Sequence, residues 1–315
     1  MRIYGNLDEI HGRERGCVAA VGNFDGVHLG HGAILKQAAA NAAARGVPGL
    51  VMTFSVHPAN RLRPHSAPRI IMKMEDRLAL MARAGIQAAL VLPFDRRLAG
   101  MEPAEFVDGV LINSLGITEV VAGEEWRFGK DRVGDMDSLS SMGRERGFSV
   151  TSVGAQMLEG SPVSSTRIRG ALQEGDVGLA EKLLGRPHFA RGTVERGEGR
   201  GRRLGFPTVN LACESVILPA RGVYGAAFAC DDRVGPAAVN IGSRPTFGSG
   251  TGTVEAHLVG VREDLYGRQV TIIFLTRLRD EIAFPDRGSL IEQIARDVER
   301  AEKTFDLSRI GEVPL

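Results

Sequence analysis

Two histidines three residues apart, His28 and His31, stand in the glycine-rich run Gly22-Asn23-Phe24-Asp25-Gly26-Val27-His28-Leu29-Gly30-His31. Imidazoles this close can donate hydrogen bonds to one anionic group, and add positive charge when protonated. The apolar run from Cys17 to Val21 before them reads as a buried strand. After them, Ala33 to Arg45 carries Ile34, Leu35, Ala38 and Ala42 at helical spacing, with Gly46 suited to end the helix. The stretch is therefore a strand-to-helix turn whose glycines let the backbone come close to a ligand. A helix N-terminus there offers free N–H groups and the positive end of a dipole, which favours phosphate. A glycine turn carrying two surface histidines fits the local spacing equally well. A cation fits it worse, because no third ligand is in view and the dipole opposes positive charge.

Two later stretches invite similar chemistry. In Val163-Ser164-Ser165-Thr166-Arg167-Ile168-Arg169 the hydroxyls can cap a helix, or join Arg169 in holding a polyphosphate, since guanidinium matches phosphate geometry. From Gly197 to Asn210, glycines and arginines alternate through Gly199, Gly201 and Gly205 before a strand. Backbone N–H groups and guanidinium charge there can wrap phosphates, although the composition also suits a flexible basic linker. It is not a Walker A loop, because no Gly-Lys-Ser/Thr ends it. In Gly123-Glu124-Glu125-Trp126-Arg127-Phe128-Gly129, Trp126 and Phe128 either stack on a flat heterocycle or anchor a loop to the core. His57 closes another strand and is either a site residue or a loop histidine satisfied locally.

The elements that must position these groups fall into two patterns. From residue 17 to about residue 153, strands and helices alternate: strands at Gly49 to Phe54, Ile86 to Leu92 and Thr118 to Ala122, helices at Glu75 to Ala84 and Pro103 to Leu115. Strands apolar on both faces, separated by helices, imply an α/β fold with a parallel sheet, whose ligands sit beyond the C-terminal strand ends. A short helix, Asp176 to Leu184, precedes a break at Gly185-Arg186-Pro187, which places the boundary between domains 1–185 and 186–315. Beyond it, strands at Gly222 to Ala229, Ala237 to Ile241, Thr253 to Val259 and Gln269 to Leu275 follow without helices between them and favour an antiparallel barrel. A final helix, Ser289 to Lys303, presents Leu290, Ile291, Ile294 and Val298 to a core.

A chain of 315 residues is long enough for two domains, and 43% hydrophobic with 24% charged residues is ordinary for a globular protein. The net charge of +1 makes no case for nucleic-acid binding. Cys17, Cys213 and Cys230 are scattered, without zinc or disulfide spacing, as suits a reducing cytoplasm. No apolar run reaches membrane-spanning length, and Asp8, Glu9 and Glu14 are unlike a signal peptide. The expectation is a cytoplasmic protein with small-molecule partners, and neither nucleic acid nor membrane among them.

The His-x-Gly-His element resembles the signature of nucleotidylyltransferases, and its longer form Gly-Asn-Phe-Asp-Gly-Val-His-x-Gly-His resembles that of bacterial bifunctional riboflavin kinase/FAD synthetases. Val163 to Arg169 is similar to the Ile-Ser-Ser-Thr-x-x-Arg motif that nucleotidylyltransferases pair with it. Leu204-Gly205-Phe206-Pro207-Thr208-Val209-Asn210 resembles the riboflavin kinase signature, and Val254-Glu255-Ala256-His257-Leu258 resembles that family's Glu-x-His-Leu strand. Gly222 to Gly225 and Asn240 to Phe247 look like its barrel strands and flavin-side loop. The chain departs from the family's wording at Val56, where Phe-x-Pro-His-Pro is usual, at Glu124, Glu125 and Trp126, where Asp, Asp and Phe are usual, and at Arg196 and Glu198.

The resemblance implies a Rossmann-like nucleotidylyltransferase domain followed by a six-stranded riboflavin kinase barrel with a terminal helix. It implies two ATP-dependent activities, riboflavin to FMN in the barrel and FMN to FAD in the first domain, with Mg²⁺ at each ATP. Among the residues of this chain, it assigns His28 and His31 to the α-phosphate and leaving group, and Ser165, Thr166 and Arg169 to the β- and γ-phosphates. Gly22, Asn23, Phe24, Gly26 and Gly30 line the first ATP site, and Gly199, Gly201 and Gly205 the second. Thr208 and Asn210 hold the metal, Glu255 is the catalytic base, and Glu125, Trp126, Phe128, Asn240 and Arg244 face flavin.

Overall fold

In a computed structural model, the described residues are 1–55, 68–197, 199–213, 216–242 and 253–314. The chain divides into two compact units, Met1–Ser164 and Ser165–Leu315.

The first unit is built on a sheet of six parallel strands: β1 (Arg2–Tyr4), β2 (Val18–Val21), β3 (Gly49–Phe54), β4 (Ala88–Leu92), β5 (Glu119–Gly123) and β6 (Ser149–Val153). Their order across the sheet is β1-β4-β3-β2-β5-β6. Helices α1 (Leu29–Arg45), α2 (Met74–Arg83) and α3 (Met136–Arg146) join strands, and Phe106–Ser114 winds with π-helical spacing. All four residues of β2 are buried, as apolar central strands of a parallel sheet must be. From β2 the chain first builds outward through β3 and β4, then crosses to β5 and β6 on the other side. The strand order therefore reverses between β2 and β5, and the crevice outside their carboxyl ends is where such sheets bind ligands. The core includes Leu50, Met52, Leu90, Leu111, Leu115 and Leu139. A two-stranded ribbon, β7 (Met157–Leu158) with β8 (Ser161–Pro162), completes the unit.

The second unit opens with α4 (Ser165–Glu174) and α5 (Val177–Leu184). A closed antiparallel barrel follows: β9 (His188–Glu195), β10 (Val209–Ala212), β11 (Gly222–Cys230), β12 (Arg233–Gly242), β13 (Thr253–Leu258) and β14 (Gln269–Arg279). The order is β10-β13-β12-β11-β14-β9. Between β9 and β10 lies the single turn α6 (Arg200–Arg203), and α7 (Arg287–Thr304) closes against β11, β12 and β14. All nine residues of β11 are buried, because one face looks into the barrel and the other meets α7. Gly225 allows that approach: a Cβ there would stand 2.6 Å from Thr304 Oγ1.

Parallel sheet, antiparallel six-stranded barrel and terminal helix agree with the sequence reading. Five strands escaped it, among them the two-residue strands β7 and β8. β1 has three residues and β6 is a polar strand, Ser149-Val150-Thr151-Ser152-Val153, so neither shows an apolar run. β9 interrupts its apolar residues with Arg191 and Gly192. α1 also starts four residues before the first residue of clear helical periodicity, since His28 itself is its cap.

Candidate active sites

β2 ends at the reversal point, and the turn beyond it is tightly determined. Phe24 and Val27 adopt positive φ (51° and 40°), as does Gly26 (84°). Such backbone persists in non-glycine residues only when the surroundings hold it. What holds it is Asp25, 1% exposed. Its carboxylate accepts from Ile71 N–H at 3.0 and 3.1 Å and from Met72 N–H at 3.3 Å, and pairs with buried Arg77 at 3.6 Å. Arg77 also donates to Met72 O at 3.0 Å and to Asn23 O at 3.4 Å. Thr53, at the end of β3, donates to the same Asn23 carbonyl at 3.1 Å.

His28 is the N-cap of α1, and its Nδ1 accepts from His31 N–H at 3.3 Å. Used as an acceptor, Nδ1 leaves the ring proton of the neutral imidazole on Nε2, which makes Nε2 the donor nitrogen of that tautomer. The two imidazoles stack at 3.6 Å between centroids, 18° from parallel, and Phe24 meets His31 edge-on at 5.2 Å. Gly30 permits this stack, since a Cβ there would come within 3.2 Å of the His28 ring. The Asn23 Oδ1 atom is buried without a hydrogen-bond partner among the described residues.

β5 ends next to β2, and its loop brings Glu125, Trp126 and Phe128 to the same edge of the sheet. Trp126 stacks on Phe128 at 4.9 Å, and both rings approach Phe106. Phe128 is 5% exposed and belongs to the core, Trp126 is half-buried and Glu125 is exposed. Glu124 ties this loop to the segment after β6, accepting from Ala155 N–H at 2.9 Å. His57 lies outside the described residues. Ser165, Thr166 and Arg169 occur on the first turns of α4, with Arg169 buried and Thr166 exposed.

In the barrel, strand register does what sequence spacing cannot show. Glu255 on β13 stands opposite Asn210 of β10 on one side and opposite Asn240 of β12 on the other. The row continues from Asn240 to Val223 of β11 and from Val223 to Arg279 of β14. Along β12 the alternate residues Gly235, Ala237, Val239 and Ile241 are buried in the barrel, while Ala238 and Asn240 are half-exposed. The polar row therefore lies on the outer wall of the barrel. It faces a cavity of about 340 Å³ lined also by α7 through Leu290, Ile294 and Asp297, and by Ile282 and Phe284. Leu290 and Ile294 are half-buried for that reason. The sequence reading assigned them to a core; they form the apolar wall of a groove.

Arg279 is held at the groove by Asp297, 4% exposed, at 2.7 and 2.9 Å, and its guanidinium lies 5.7 Å from the Phe284 ring centroid. Gln293 donates to the same carboxylate at 2.9 Å. His257 donates through Nδ1 to Pro207 O at 2.8 Å and meets Phe206 edge-on, tying the loop before β10 to β13. Within that loop Phe206 N–H donates to Gly201 O at 2.9 Å. A Cβ on Gly197 would fall 1.9 Å from Asn210 Nδ2, and one on Gly201 2.4 Å from Phe206 O, so backbone lies directly against Thr208 and Asn210. Gly199 and Gly205 supply positive φ of 66° and 88°. Thr208, Asn210 and Glu255 present hard oxygen donors, the chemistry that Mg²⁺ prefers. Among the described residues no cluster of three or more His, Cys, Asp or Glu could hold a metal by itself. Arg244 lies outside the described residues.

Asp25 with Arg77, and Arg279 with Asp297, were not identified from sequence. Each pair joins segments far apart in the chain, and no local spacing announces such a contact. Asp25 alone had a signal, a carboxylate fixed between Phe24 and Gly26 in the histidine turn.

The family model described as FAD synthetase matches residues 10–167, and the one described as riboflavin kinase matches residues 184–305. A "Bifunctional riboflavin kinase/FMN adenylyltransferase" of Pseudomonas fluorescens is 39% identical over 308 residues, covering 96% of this chain and 97% of that protein. The chain belongs to the bifunctional riboflavin kinase/FMN adenylyltransferase family. The Escherichia coli K12 member is 35% identical, over 94% of this chain and 95% of its own. A crystal structure named "Macrolide-efflux Protein" from Streptococcus pneumoniae superposes with a TM-score of 0.88 at 29% identity, covering 96% of this chain and 99% of that one. The two family segments contain the two constellations just described, the histidine turn in the first and the Asn210–Glu255–Asn240 row in the second. None of the described helices is long and apolar enough to cross a membrane.

Proposed function

We propose that the barrel phosphorylates riboflavin to FMN and that the parallel-sheet domain adenylylates FMN to FAD, each with its own ATP, in the cytoplasm. The observation that carries this reading is the Asn210–Glu255–Asn240 row on the wall of an apolar groove. A carboxylate flanked by two amides is suited to take a proton from an alcohol that the amides orient. The groove of Val223, Ile282, Phe284, Leu290 and Ile294 suits a flat heterocycle, with Asn240 on the flavin side.

In the kinase step, the ribityl 5′-hydroxyl oxygen forms a bond to the γ-phosphorus as the bond to the β,γ-bridging oxygen breaks. Glu255 receives the hydroxyl proton and ADP leaves. Gly199, Gly201 and Gly205 let backbone N–H groups approach the phosphates. Thr208 and Asn210 would hold Mg²⁺, which when bound neutralises phosphate charge. In the adenylyl step, an FMN phosphate oxygen bonds to the α-phosphorus and pyrophosphate leaves. No side-chain nucleophile is needed, so positioning and charge stabilisation do the work. His28 donates through Nε2 and, with His31, meets the charge at the α-phosphate and leaving group. Gly22, Asn23, Phe24, Gly26 and Gly30 shape that turn, and Ser165, Thr166 and Arg169 bind the β- and γ-phosphates. Glu125 and Trp126 border the flavin of FMN, with Phe128 backing Trp126 from the core. On function, we place the boundary between the two domains at residue 185.

The test is a time course of riboflavin, ATP and Mg²⁺ with the purified chain, the flavins separated chromatographically. FMN rising first and FAD following is expected. FMN alone would mean a disabled first domain. FAD from supplied FMN, with none from riboflavin, would mean a disabled barrel.

A further inference from the structure

The helix that opens with Ser165, Thr166 and Arg169 folds as part of the barrel unit. Its C-terminal end is clamped there by backbone and one guanidinium. Arg277 of β14 donates through Nη1 to Glu174 O, the last carbonyl of α4, at 2.7 Å, and through Nη2 to Arg221 O at 2.9 Å. Ala220 N–H donates to Leu172 O at 2.8 Å, and buried Tyr224 donates to Ala220 O at 2.6 Å. Asp280 holds the same guanidinium at 2.8 Å. A cation at a helix C-terminus also meets the negative end of its dipole.

The sequence is shaped around this clamp. Gly175 has φ 78°, and a Cβ on it would fall 2.4 Å from Arg277 Nη1 and 2.9 Å from the Tyr224 hydroxyl. β14 is irregular at the same place. Val223 stands opposite Arg279 but Tyr224 stands opposite Arg277, so Leu278 is an extra residue that re-aims its neighbours. Arg277 is not among the residues lining the groove of the barrel. α5 reinforces the seat, since Glu181 pairs with Arg309, which also donates to Leu275 O of β14 at 3.0 Å.

We propose that Arg277 is a positioning residue for adenylyl transfer, acting from the barrel through α4. The inference rests on the reading that Ser165, Thr166 and Arg169 bind the β- and γ-phosphates. Eight or nine residues at 1.5 Å each separate clamp from hydroxyls by about 13 Å. A rigid helix carries a change of tilt at one end to the other, and misplacement by 1 Å can cost about 100-fold in rate.

The full chain bearing Arg277→Met or Arg277→Lys is assayed separately for FMN to FAD and for riboflavin to FMN, with Arg169→Ala beside them. The Met variant is expected to lose about 10-fold or more in adenylylation, with KM for ATP rising, while phosphorylation stays within about twofold. Lysine keeps one charged donor and is expected to recover part of the loss. Unchanged adenylylation in the Met variant overturns the proposal, and so does a parallel fall of both activities. If the Met variant does not fold, the Lys variant decides by the same two rates. Unchanged adenylylation in Arg169→Ala overturns instead the phosphate reading of α4, and this proposal with it.

Discussion

Asp25→Asn is the substitution whose cost follows most directly from the structure. It keeps the shape of the side chain and removes only its charge and one acceptor. The carboxylate and Arg77 are 1% and 3% exposed, so solvent cannot replace either partner. Arg77 would keep two carbonyl partners, Met72 O and Asn23 O, but no counter-charge among those contacts. The new amide group would also face the N–H groups of Ile71 and Met72, which need an acceptor. Breaking a buried ion pair from one side costs about 3–5 kcal/mol. The retained carbonyl contacts put this case at the lower end, about 3 kcal/mol. For a unit of this size that lowers the melting temperature by about 6–12 °C. Trp126 is the chain's single tryptophan and packs against the core of the first unit, so its fluorescence follows that unit's unfolding. Adenylylation should fall with the distorted histidine turn and phosphorylation should not. Adding Arg77→Met should restore part of the stability, because it removes the buried charge that the Asp25 carboxylate had balanced. A melting shift of less than about 2 °C, or equal loss of both activities, would refute the assignment of Asp25 as the anchor of the turn.

Glu255→Gln should lower FMN formation by about 10²–10⁴-fold, the usual worth of a general base, while supplied FMN still becomes FAD; loss of both activities in a folded variant would contradict separate sites. His28→Ala with His31→Ala should halt synthesis at FMN, each lost donor costing on the order of 10²-fold, and FAD accumulating at the wild-type rate would sink the assignment. His188 gives the barrel an acid limit. Burial, and more weakly the neighbouring Arg186 charge, push its imidazole from 6.5 down to about 4 against the pull of its bond to Ile217 O. Between those two values the unfolded chain takes up a proton that the folded chain refuses, so stability present above pH 6.5 is lost progressively down to about pH 4, by about 3 kcal/mol in all. Urea unfolding followed by circular dichroism should show this slope flattened in His188→Gln; an unchanged slope in that variant would assign the acid limit to other groups.

What could be read from sequence was what repeats locally. The apolar strands, the glycine ending α1 and the motifs at strand ends all declare themselves within a dozen residues. The alternation along β12 and β13 was equally visible, yet it cannot say which face of a barrel strand holds the chemistry. Glu255 was therefore legible as a residue but not as the centre of a row, because Asn210 and Asn240 become its neighbours only through pairing across three strands. The half-buried Leu290 and Ile294 had the periodicity of core residues, and a groove wall has the same periodicity as a core.

On the proposed function, both constellations face one physical problem, bringing main chain and donors against a polyphosphate without leaving them loose. The solutions differ in what fixes the backbone. At the histidine turn the φ-positive residues Phe24, Gly26 and Val27 are pinned by a charge, Asp25, reaching to a distant segment. In the barrel loop contact does this instead, because Gly197 and Gly201 are pressed against Asn210 and Thr208 and the loop closes on itself through Phe206 and Gly201. The first arrangement concentrates its stability in one ion pair and should fail at a single substitution. The second spreads it over close contacts, so any side chain larger than hydrogen at Gly197 or Gly201 should displace Asn210 or Thr208. Sensitivity to charge removal in one site and to added volume in the other is thus a consequence of how each loop is held.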